Sequence, residues 1–442
     1  ADPTWTGTGT EADPYVITTY AQLGELSTAV KGGNKYEGKY FALANDITAD
    51  TATTAWTSIG TSASNNFDGV FNGRGFKISG LTSALFGYTG VSSVVENLGI
   101  TGGSVKASGF GMYYTGSLAN DIYGTVKDCW SDSAVSVTGK SNLASCYTGG
   151  LVGYAENDSL ITDCFFAGTL YSDGSGLLNQ AGGIVGATLG TVKNCYNTGK
   201  ITGQSGKANG IAGMWYYDAS DTTPSSVANC YYLEGSAMLA YTKSTTTHQT
   251  VTVSEASSST TATKDKTTDT LSTSDSGVLT DTQMKAAGSF TGFDFTNTWT
   301  ISATAGDYPY PTLKAAAYTK PADNTTDFAG GNGTLYDPYQ ITTIAQLENV
   351  KKDLSANYIL ENDLTFYDYM YSSKADNQTA YKKQIAAMYI AQHDTIAAST
   401  TIGSELLGQI VDSSLFTNGT ATDAQYEIAV KVLNAQNSTT LP

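Results

Sequence analysis

The chain has 442 residues, a length that suggests two or three domains, and its 40 acidic and 23 basic residues leave a net charge of -17. This charge argues against nucleic-acid and anionic-membrane partners, because phosphate binding needs clustered Lys and Arg. No stretch approaches the roughly 18 apolar residues of a membrane span, so no membrane insertion is expected, and the odd number of cysteines, five, argues against a disulfide framework.

Residues 1–50 predict a cap at the end of a repetitive β structure. Apolar and aromatic positions at Tyr15, Ile17 and Tyr40-Phe41-Ala42-Leu43 indicate strands, and Leu23 and Leu26 lie in a short helix between them. Such a cap covers a strand edge that would otherwise pair with other chains. Residues 51–108 are predicted to form the first, less regular coils of a repetitive β domain that spans residues 51–240.

One short sequence pattern occurs four times between residues 109 and 233. Each copy has a Gly-rich apolar segment, a polar stretch and an ending in which Asp or Asn precedes Cys and an aromatic residue. The cysteines are 35, 31 and 35 residues apart, and a period of this size is typical of a solenoid. The four endings are Asp128-Cys129-Trp130, Asp163-Cys164-Phe165, Asn194-Cys195-Tyr196 and Asn229-Cys230-Tyr231.

Each repeat reads as three short β runs separated by turn residues, and none contains a helical apolar period. Stacked coils would give every strand a parallel neighbour about 4.8 Å away and a continuous interior. The fold class predicted is therefore all-β, a right-handed parallel β-helix. A propeller is the alternative, but it needs four antiparallel strands in each blade and tight hairpins.

Stacking places equivalent residues above one another, so the four cysteines should form a buried structural ladder. The preceding Asp128, Asp163, Asn194 and Asn229 should sit at corners, where their side chains bond the backbone of the bend. A metal column and disulfides between coils are the alternatives. Zinc-type CxxC pairs are absent, and neighbouring coils hold Cβ atoms farther apart than the about 3.8 Å of a disulfide. No metal or cofactor is predicted.

The aromatic residue after each Cys admits two interpretations. If Trp130, Phe165, Tyr196 and Tyr231 point outward, they form a stripe on which sugars could stack, and surface glycans become a class of partner. The same row is also typical of a structural ladder that stiffens the coils. From the sequence, both interpretations stay open, with the structural one favoured.

The segment Gly149-Gly150-Leu151-Val152-Gly153, followed by a Cys-aromatic strand, resembles the GLUG-motif repeat of secreted and surface-attached microbial β-helix proteins. The resemblance covers roughly residues 5 to 314 and includes a closing segment in residues 278–326. It implies a β-helix and a secreted, extracellular or cell-surface location. It does not imply a particular ligand.

Residues 241–277 are rich in Thr and Ser and predict an insertion, in which residues 250–254 permit an added strand pair. A second, α+β domain is predicted over residues 327–442. It opens on a duplication, since residues 331–347 repeat residues 7–23 and residues 358–365 repeat residues 41–48. Helices are predicted over residues 380–410 and 423–436. This unit reads as a cap without its own coils.

Catalytic chemistry finds little support in the sequence. Asp128 and Asp163 would be adjacent in the stack, about 5 Å apart, which suits a retaining glycosidase. Their replacement by Asn in later coils favours a corner role instead. Arg74, the only arginine, lies in a Gly-rich corner, and His248 and His393 have no nucleophile motif beside them. The corner pairs Asn45-Asp46 and Asp68-Gly69 lack the spaced ligands of a calcium loop.

These observations predict an extracellular, non-catalytic β-helix protein that acts as a self-assembling filament or lattice subunit, or as an adhesin. The alternative is a polysaccharide-binding monomer or a carbohydrate-active lyase or hydrolase. The expected partner is another copy of the chain, with the unit from residue 327 docked head-to-tail or laterally on its β-helix. Docking of that unit on its own β-helix is the competing hypothesis.

Overall fold

The computed structural model describes residues 3–108, 113–138, 146–172, 180–203, 208–217, 225–237, 239–245, 250–252, 276–354, 356–364 and 375–438. The chain forms two compact units. The first comprises residues 1–321 with 334–336, and the second comprises residues 322–333 with 337–442. The second unit begins close to residue 327, where the duplicated cap predicts a new domain.

The first unit consists of short strands and few helices. Its first strands are β1 (Tyr15–Ile17), β2 (Tyr40–Leu43), β3 (Ile47–Thr48), β4 (Val70–Asn72), β5 (Lys77–Ser79), β6 (Phe86–Tyr88), β7 (Val94–Thr101), β8 (Ser104–Ser108), β9 (Tyr113–Thr115), β10 (Ala119–Ile122), β11 (Thr125–Ser131), β12 (Ala134–Thr138), β13 (Cys146–Gly149), β14 (Val152–Ala155) and β15 (Leu160–Thr162). The remaining strands are β16 (Phe165–Phe166), β17 (Thr169–Ser172), β18 (Gln180–Gly182), β19 (Val185–Thr188), β20 (Thr191–Lys193), β21 (Tyr196–Asn197), β22 (Lys200–Gly203), β23 (Ala208–Tyr217), β24 (Ser226–Ala228), β25 (Cys230–Leu233), β26 (Leu239–Thr245), β27 (Thr250–Thr252), β28 (Ser276–Leu279), β29 (Trp299–Thr300) and β30 (Thr312–Leu313). The described part of the unit also contains helices α1 (Tyr20–Lys31) and α2 (Asp281–Met284) and a 3-10 turn (Ala287–Ser289).

The strands stack in parallel register from coil to coil. One long sheet runs β1-β2-β4-β7-β11-β16-β21-β25-β28, a second joins β6, β10, β14, β19 and β23 to β18, β13 and β9, and a third runs β22-β17-β12-β8. The register keeps the repeats aligned, since Trp130 pairs with Phe165 and Phe165 with Tyr196. The prediction of a parallel β-helix is confirmed.

The interior of the β-helix is a continuous apolar core. It extends from the first cap, where Leu23, Leu26 and Val30 of α1 are fully buried, to Cys230 and Tyr232 in the last repeat. Alternation along each strand sends one side chain inward and its neighbour outward, so each short strand contributes one or two core residues. Removing this apolar surface from water is the main stabilising contribution to the stack.

A second apolar cluster lies outside that core. The aromatic row of the repeats packs there against residues 279–318, which contain α2, β29 and β30. Trp299, Tyr310 and Met284 of this closing segment are fully buried. Helix α2 begins with a capping box between Thr280 and Gln283. The closing segment therefore covers one face of the long sheet.

The insertion predicted over residues 241–277 lies largely outside the described residues. Of its described part, β26 continues the second sheet beside β23 and pairs antiparallel with β27. The strand pair that residues 250–254 permit is thus present over Thr250–Thr252, and β28 joins the edge of the long sheet at β25.

The second unit contains a small parallel sheet and a helical part. Its elements are β31 (Tyr339–Ile341), α3 (Ile344–Asn349), a 3-10 turn (Val350–Lys352), β32 (Tyr358–Leu360), α4 (Ala375–Ala397), α5 (Ser404–Leu407), α6 (Ser413–Thr417) and α7 (Asp423–Asn437). The helices share a core around Ile385, Tyr389 and Leu433. The long helix ends at Ala397, earlier than predicted, because the following Ser and Thr side chains compete for backbone hydrogen bonds.

Candidate functional site

The residue before each ladder cysteine occupies a left-handed corner of its coil. Asp128, Asp163, Asn194 and Asn229 have φ between 52° and 53°. Asn and Asp tolerate this backbone region better than other non-Gly residues because their short polar side chains bond locally. Asn97 has φ 54° and adds an earlier rung to the ladder. Sequence analysis missed it, although Val95-Glu96-Asn97-Leu98 follows the same pattern without the cysteine.

The four ladder thiols lie inside the β-helix. Cys129, Cys164, Cys195 and Cys230 have no exposed surface, and all five cysteines of the chain are buried thiols. Each ladder Sγ lies 3.1 to 3.2 Å from the carbonyl oxygen two residues earlier in the chain. Burial raises the pKa of the Cys129 and Cys195 thiols well above the ordinary value. This environment keeps those two thiols protonated and unreactive.

The two ladder carboxylates take part in packing rather than forming an open acid pair. Asp163 accepts a hydrogen bond from Trp299 Nε1 at 3.1 Å through Oδ1 and one from the Thr162 hydroxyl at 2.6 Å through Oδ2. Burial, together with the neighbouring Cys164 and Asp163, raises the pKa of Asp128 to about 6. A glycosidase pair needs both carboxyls accessible to a sugar. Here the Asp163 carboxylate is already bonded on both oxygens.

The aromatic row does not form an exposed ligand surface. Trp130, Phe165, Tyr196 and Tyr231 point out of the main core, but they are at most 5% exposed because the closing segment packs over them. Phe165 and Tyr196 stack at 5.0 Å with an angle of 6° between the rings. The sugar-stacking interpretation is therefore wrong for these four residues, and their row is a packing ladder.

The other candidates of the sequence are dispersed. Arg74 occupies a left-handed corner with φ 51°, His393 lies on α4 with Nδ1 3.4 Å from Asp394, and His248 lies outside the described residues. Asp68 accepts a hydrogen bond from the backbone of Ser92. Within the described ranges, no group of three or more His, Cys, Asp or Glu side chains is arranged to hold a metal ion.

The duplicated cap reproduces several hydrogen bonds and the strand register of the first cap. Thr19 and Thr343 each cap a helix by accepting a hydrogen bond from the backbone of a Gln three residues later. Asn45 and Asn362 each donate to the carbonyl of the threonine that follows the first strand of their cap, at 3.1 and 3.2 Å. Strand β1 pairs with β2 and β31 with β32 in matching parallel register, so Tyr15 faces Phe41 as Tyr339 faces Tyr358. The two modules share one local fold.

The two caps differ in what covers them. In the first, β4 pairs with the far edge of β2, and Leu23, Ala42 and Leu43 are buried to 1% exposure or less. The equivalent Leu347, Ile359 and Leu360 are 42%, 44% and 58% exposed, and nearby Leu354 is 83% exposed. Among the described strands, β32 pairs with β31 alone. We call β32 with these four apolar side chains the open cap face; it is the candidate interaction surface.

Comparison with known proteins bears on the repeats. The model of the family described as "The GLUG motif" matches residues 144–171 and 178–202, which hold the Gly-rich segments and the strands around Cys164 and Cys195. These two segments are GLUG-motif repeats. The matched segments are two of the four copies visible in the sequence, and both lie within the stacked coils.

Two curated proteins are similar to parts of this chain. A protein described as a Gly-rich membrane protein of Evansella cellulosilytica is 33% identical over 132 residues, covering 27% of this chain and 14% of that protein. Halomucin of Haloquadratum walsbyi is 29% identical over 190 residues, covering 41% of this chain and 2% of that protein. The chain thus spans a small part of the length of these relatives. Within the described residues, no helix is long and apolar enough to cross a membrane.

Two solved structures also resemble the chain. A Bacteroides ovatus crystal structure described as an immunoglobulin A1 protease has 20% identity and a TM-score of 0.44, covering 71% of this chain and 95% of its own. A second, described as IgA1 protease, has 14% identity and a TM-score of 0.25, covering 55% of this chain and 23% of its own.

Proposed function

We propose that this GLUG-repeat protein is a non-catalytic structural component of the cell surface or extracellular space, and that it assembles with copies of itself. The observation that carries the proposal is the open cap face, an apolar strand edge whose twin in the same chain is covered by a β-helix coil. Two relatives support the location, since one is described as a membrane protein and the other as a halomucin.

The occupant proposed for the open cap face is a strand of another copy's β-helix. In the first cap, the partner of β2 is the coil strand β4, with Phe71 beside Phe41. A strand edge of the same shape at β32 is suited to the same kind of partner, because main-chain hydrogen bonds supply affinity and the flanking apolar side chains supply packing. Left uncovered, such an edge promotes aggregation.

A contact between a cap on one copy and a β-helix on the next joins two different surfaces. Such heterologous contacts produce open filaments unless their rotation closes a ring. A surface filament or lattice therefore follows from the open cap face, whereas a monomeric adhesin would not need it. The chain's net charge of -17 keeps copies soluble until this specific contact forms.

Sedimentation velocity and negative-stain microscopy of the native full chain test this function. We expect concentration-dependent assemblies that are lost in the double variant Leu347→Glu/Leu360→Glu, because two charges on the open cap face oppose burial. Both side chains are exposed, so the variant should keep its fold. The control is Ala345→Glu, which adds a charge at an exposed position of α3 two residues from Leu347, on the opposite helix face. Equal assembly of double variant and wild type would contradict the proposal.

A further inference from the structure

A group of tyrosines and acids lies along the second sheet, and its tyrosines are not part of the main apolar core. Stacking of β6, β10 and β14 aligns Tyr88, Asp121 and Tyr154 in one column. Tyr114 of β9 lies beside them, and its ring stacks on Tyr154 at 4.5 Å with an angle of 18°. Together these residues form what we call the tyrosine–acid cluster: Tyr88, Tyr114, Asp121, Tyr123, Tyr154 and Glu156.

The two carboxyl groups of this cluster lack a compensating positive charge. Asp121 is 3% exposed, and its Oδ1 is buried without a hydrogen-bond partner. Burial and the nearby Glu156 raise the pKa of Asp121 to about 7. Burial also raises the pKa of Glu156, against the opposing effect of a hydrogen bond from Tyr123. Neither carboxyl is paired with a Lys or Arg of the described chain.

The tyrosine rings of the cluster also favour a positively charged ligand. All four tyrosines of the cluster are half-buried, and each lies close enough to Asp121 and Glu156 to interact with them electrostatically. The face of an aromatic ring carries negative potential and attracts ammonium groups. An unpaired buried carboxylate oxygen beside such rings is therefore complementary to an organic cation.

We propose that the tyrosine–acid cluster binds a primary ammonium group, carried by a lysine side chain or by a free alkylamine. The ammonium donates hydrogen bonds to Asp121 and Glu156, and its alkyl chain packs against Tyr154 and Tyr114. A divalent metal ion suits the cluster less well, since calcium takes six to eight oxygen ligands and only two carboxylates are present here. A neutral sugar would not compensate the negative charge that Asp121 acquires when it ionises.

Binding of a cation requires an ionised carboxylate, so the site should depend on pH. The titratable groups facing Asp121 are Glu156, Tyr88, Tyr114, Tyr123 and Tyr154, and the tyrosines stay protonated through the neutral range because burial raises their pKa values. An alkylamine remains protonated over the same range. Affinity should therefore rise by about tenfold between about pH 5.5 and about pH 8.5 as Asp121 ionises.

The test is saturation-transfer NMR of the full chain with n-butylammonium chloride, repeated with Nα-acetyl-lysine amide to compare a free amine with a lysine side chain. We expect Asp121→Asn to lower the affinity by about tenfold and to flatten the pH profile. The matched control is Asp13→Asn, which removes one exposed carboxylate in the first cap and should leave binding unchanged. Glu156→Gln serves the same purpose as Asp121→Asn if that variant does not fold.

Three results would overturn the proposal. The first is equal binding of neutral n-butanol, which would make the contact merely apolar. The second is unchanged affinity in both Asp121→Asn and Glu156→Gln. The third is displacement of the amine by millimolar glucose or calcium chloride with the same dependence on Asp121, which would assign the cluster to a sugar or a metal ion.

Discussion

Trp299 Nε1 donates a 3.1 Å hydrogen bond to Oδ1 of Asp163, a residue 136 positions earlier in the chain. This bond ties the closing segment to a left-handed corner of the β-helix. The corner position alone suits either Asp or Asn, as Asn194 and Asn229 demonstrate. The carboxylate of Asp163 therefore has a packing role that needs no catalytic function to explain it.

Two substitutions of Asp163 separate its role as hydrogen-bond acceptor for Trp299 from its role in the left-handed corner. Asp163→Asn keeps an acceptor for Trp299 and tolerates the left-handed backbone, so its free energy of unfolding should stay within about 1 kcal/mol of wild type. Asp163→Ala leaves the indole N–H unpaired and strains the corner, and we expect a loss of about 1–3 kcal/mol. Urea unfolding followed by tryptophan fluorescence measures both. Equal stability of the two variants would contradict this role for the carboxylate.

The cysteine ladder should act as small core packing. Cys195→Ala removes one buried sulfur and should lower the free energy of unfolding by about 1–2 kcal/mol. Cys195→Asp places a charge in an apolar interior and should prevent folding of the repeats. Native protein should react with thiol reagents only as it unfolds. Rapid labelling of all four ladder cysteines under native conditions would exclude a buried ladder.

The raised pKa of Asp121 predicts a pH effect on stability. An unfolded aspartate has a pKa of about 4, whereas the folded value is about 7, so the folded chain holds this proton more tightly. The resulting stabilisation is complete below about pH 4 and is lost as pH rises through about 7. Without an amine ligand, Asp121→Asn should remove this part of the pH dependence and raise the melting temperature at about pH 8.

Thermal scans from about pH 4 to about pH 9 in an amine-free buffer measure this effect, with Asp13→Asn as the control. A steeper loss of stability at high pH in Asp121→Asn than in wild type would show that the aspartate is stabilising when ionised.

Much of the β-helix could be predicted from the sequence because stacking turns a repeated pattern into repeated contacts. In the Cys-aromatic pair, strand alternation places Cys129 in the main core and Trp130 outside it, although the sequence alone left the orientation of the aromatic residue open. The left-handed corners follow from the recurrence of Asn and Asp. The repeats could not indicate that the closing segment packs over Trp130 and Tyr196. The covering residues, such as Trp299 and Tyr308, lie far along the chain from the repeats.

The two candidate surfaces differ in how visible they are in the sequence. The duplication of the cap is plain from Thr343 and Asn362, but the exposure of Leu360 is evident only in three dimensions, where β31 is the one described strand that pairs with β32. The tyrosine–acid cluster left a weaker signal, since Tyr88 and Tyr154 each follow a glycine at the same place in the repeat. Asp121 replaces this tyrosine in the coil between them, and only the stack brings the three side chains together.

The open cap face can be tested most directly by mapping what touches it. In this experiment, a photo-crosslinking residue replaces Leu360 in ¹⁵N-labelled chain. This labelled chain is mixed with unlabelled chain that keeps Leu360, and the cross-linked peptides are identified by mass spectrometry. The account predicts mixed-isotope crosslinks from position 360 to β-helix strands of another copy, and their loss when Leu347→Glu is added. Crosslinks confined to peptides of one isotope, or links between copies that never reach the β-helix, would contradict it.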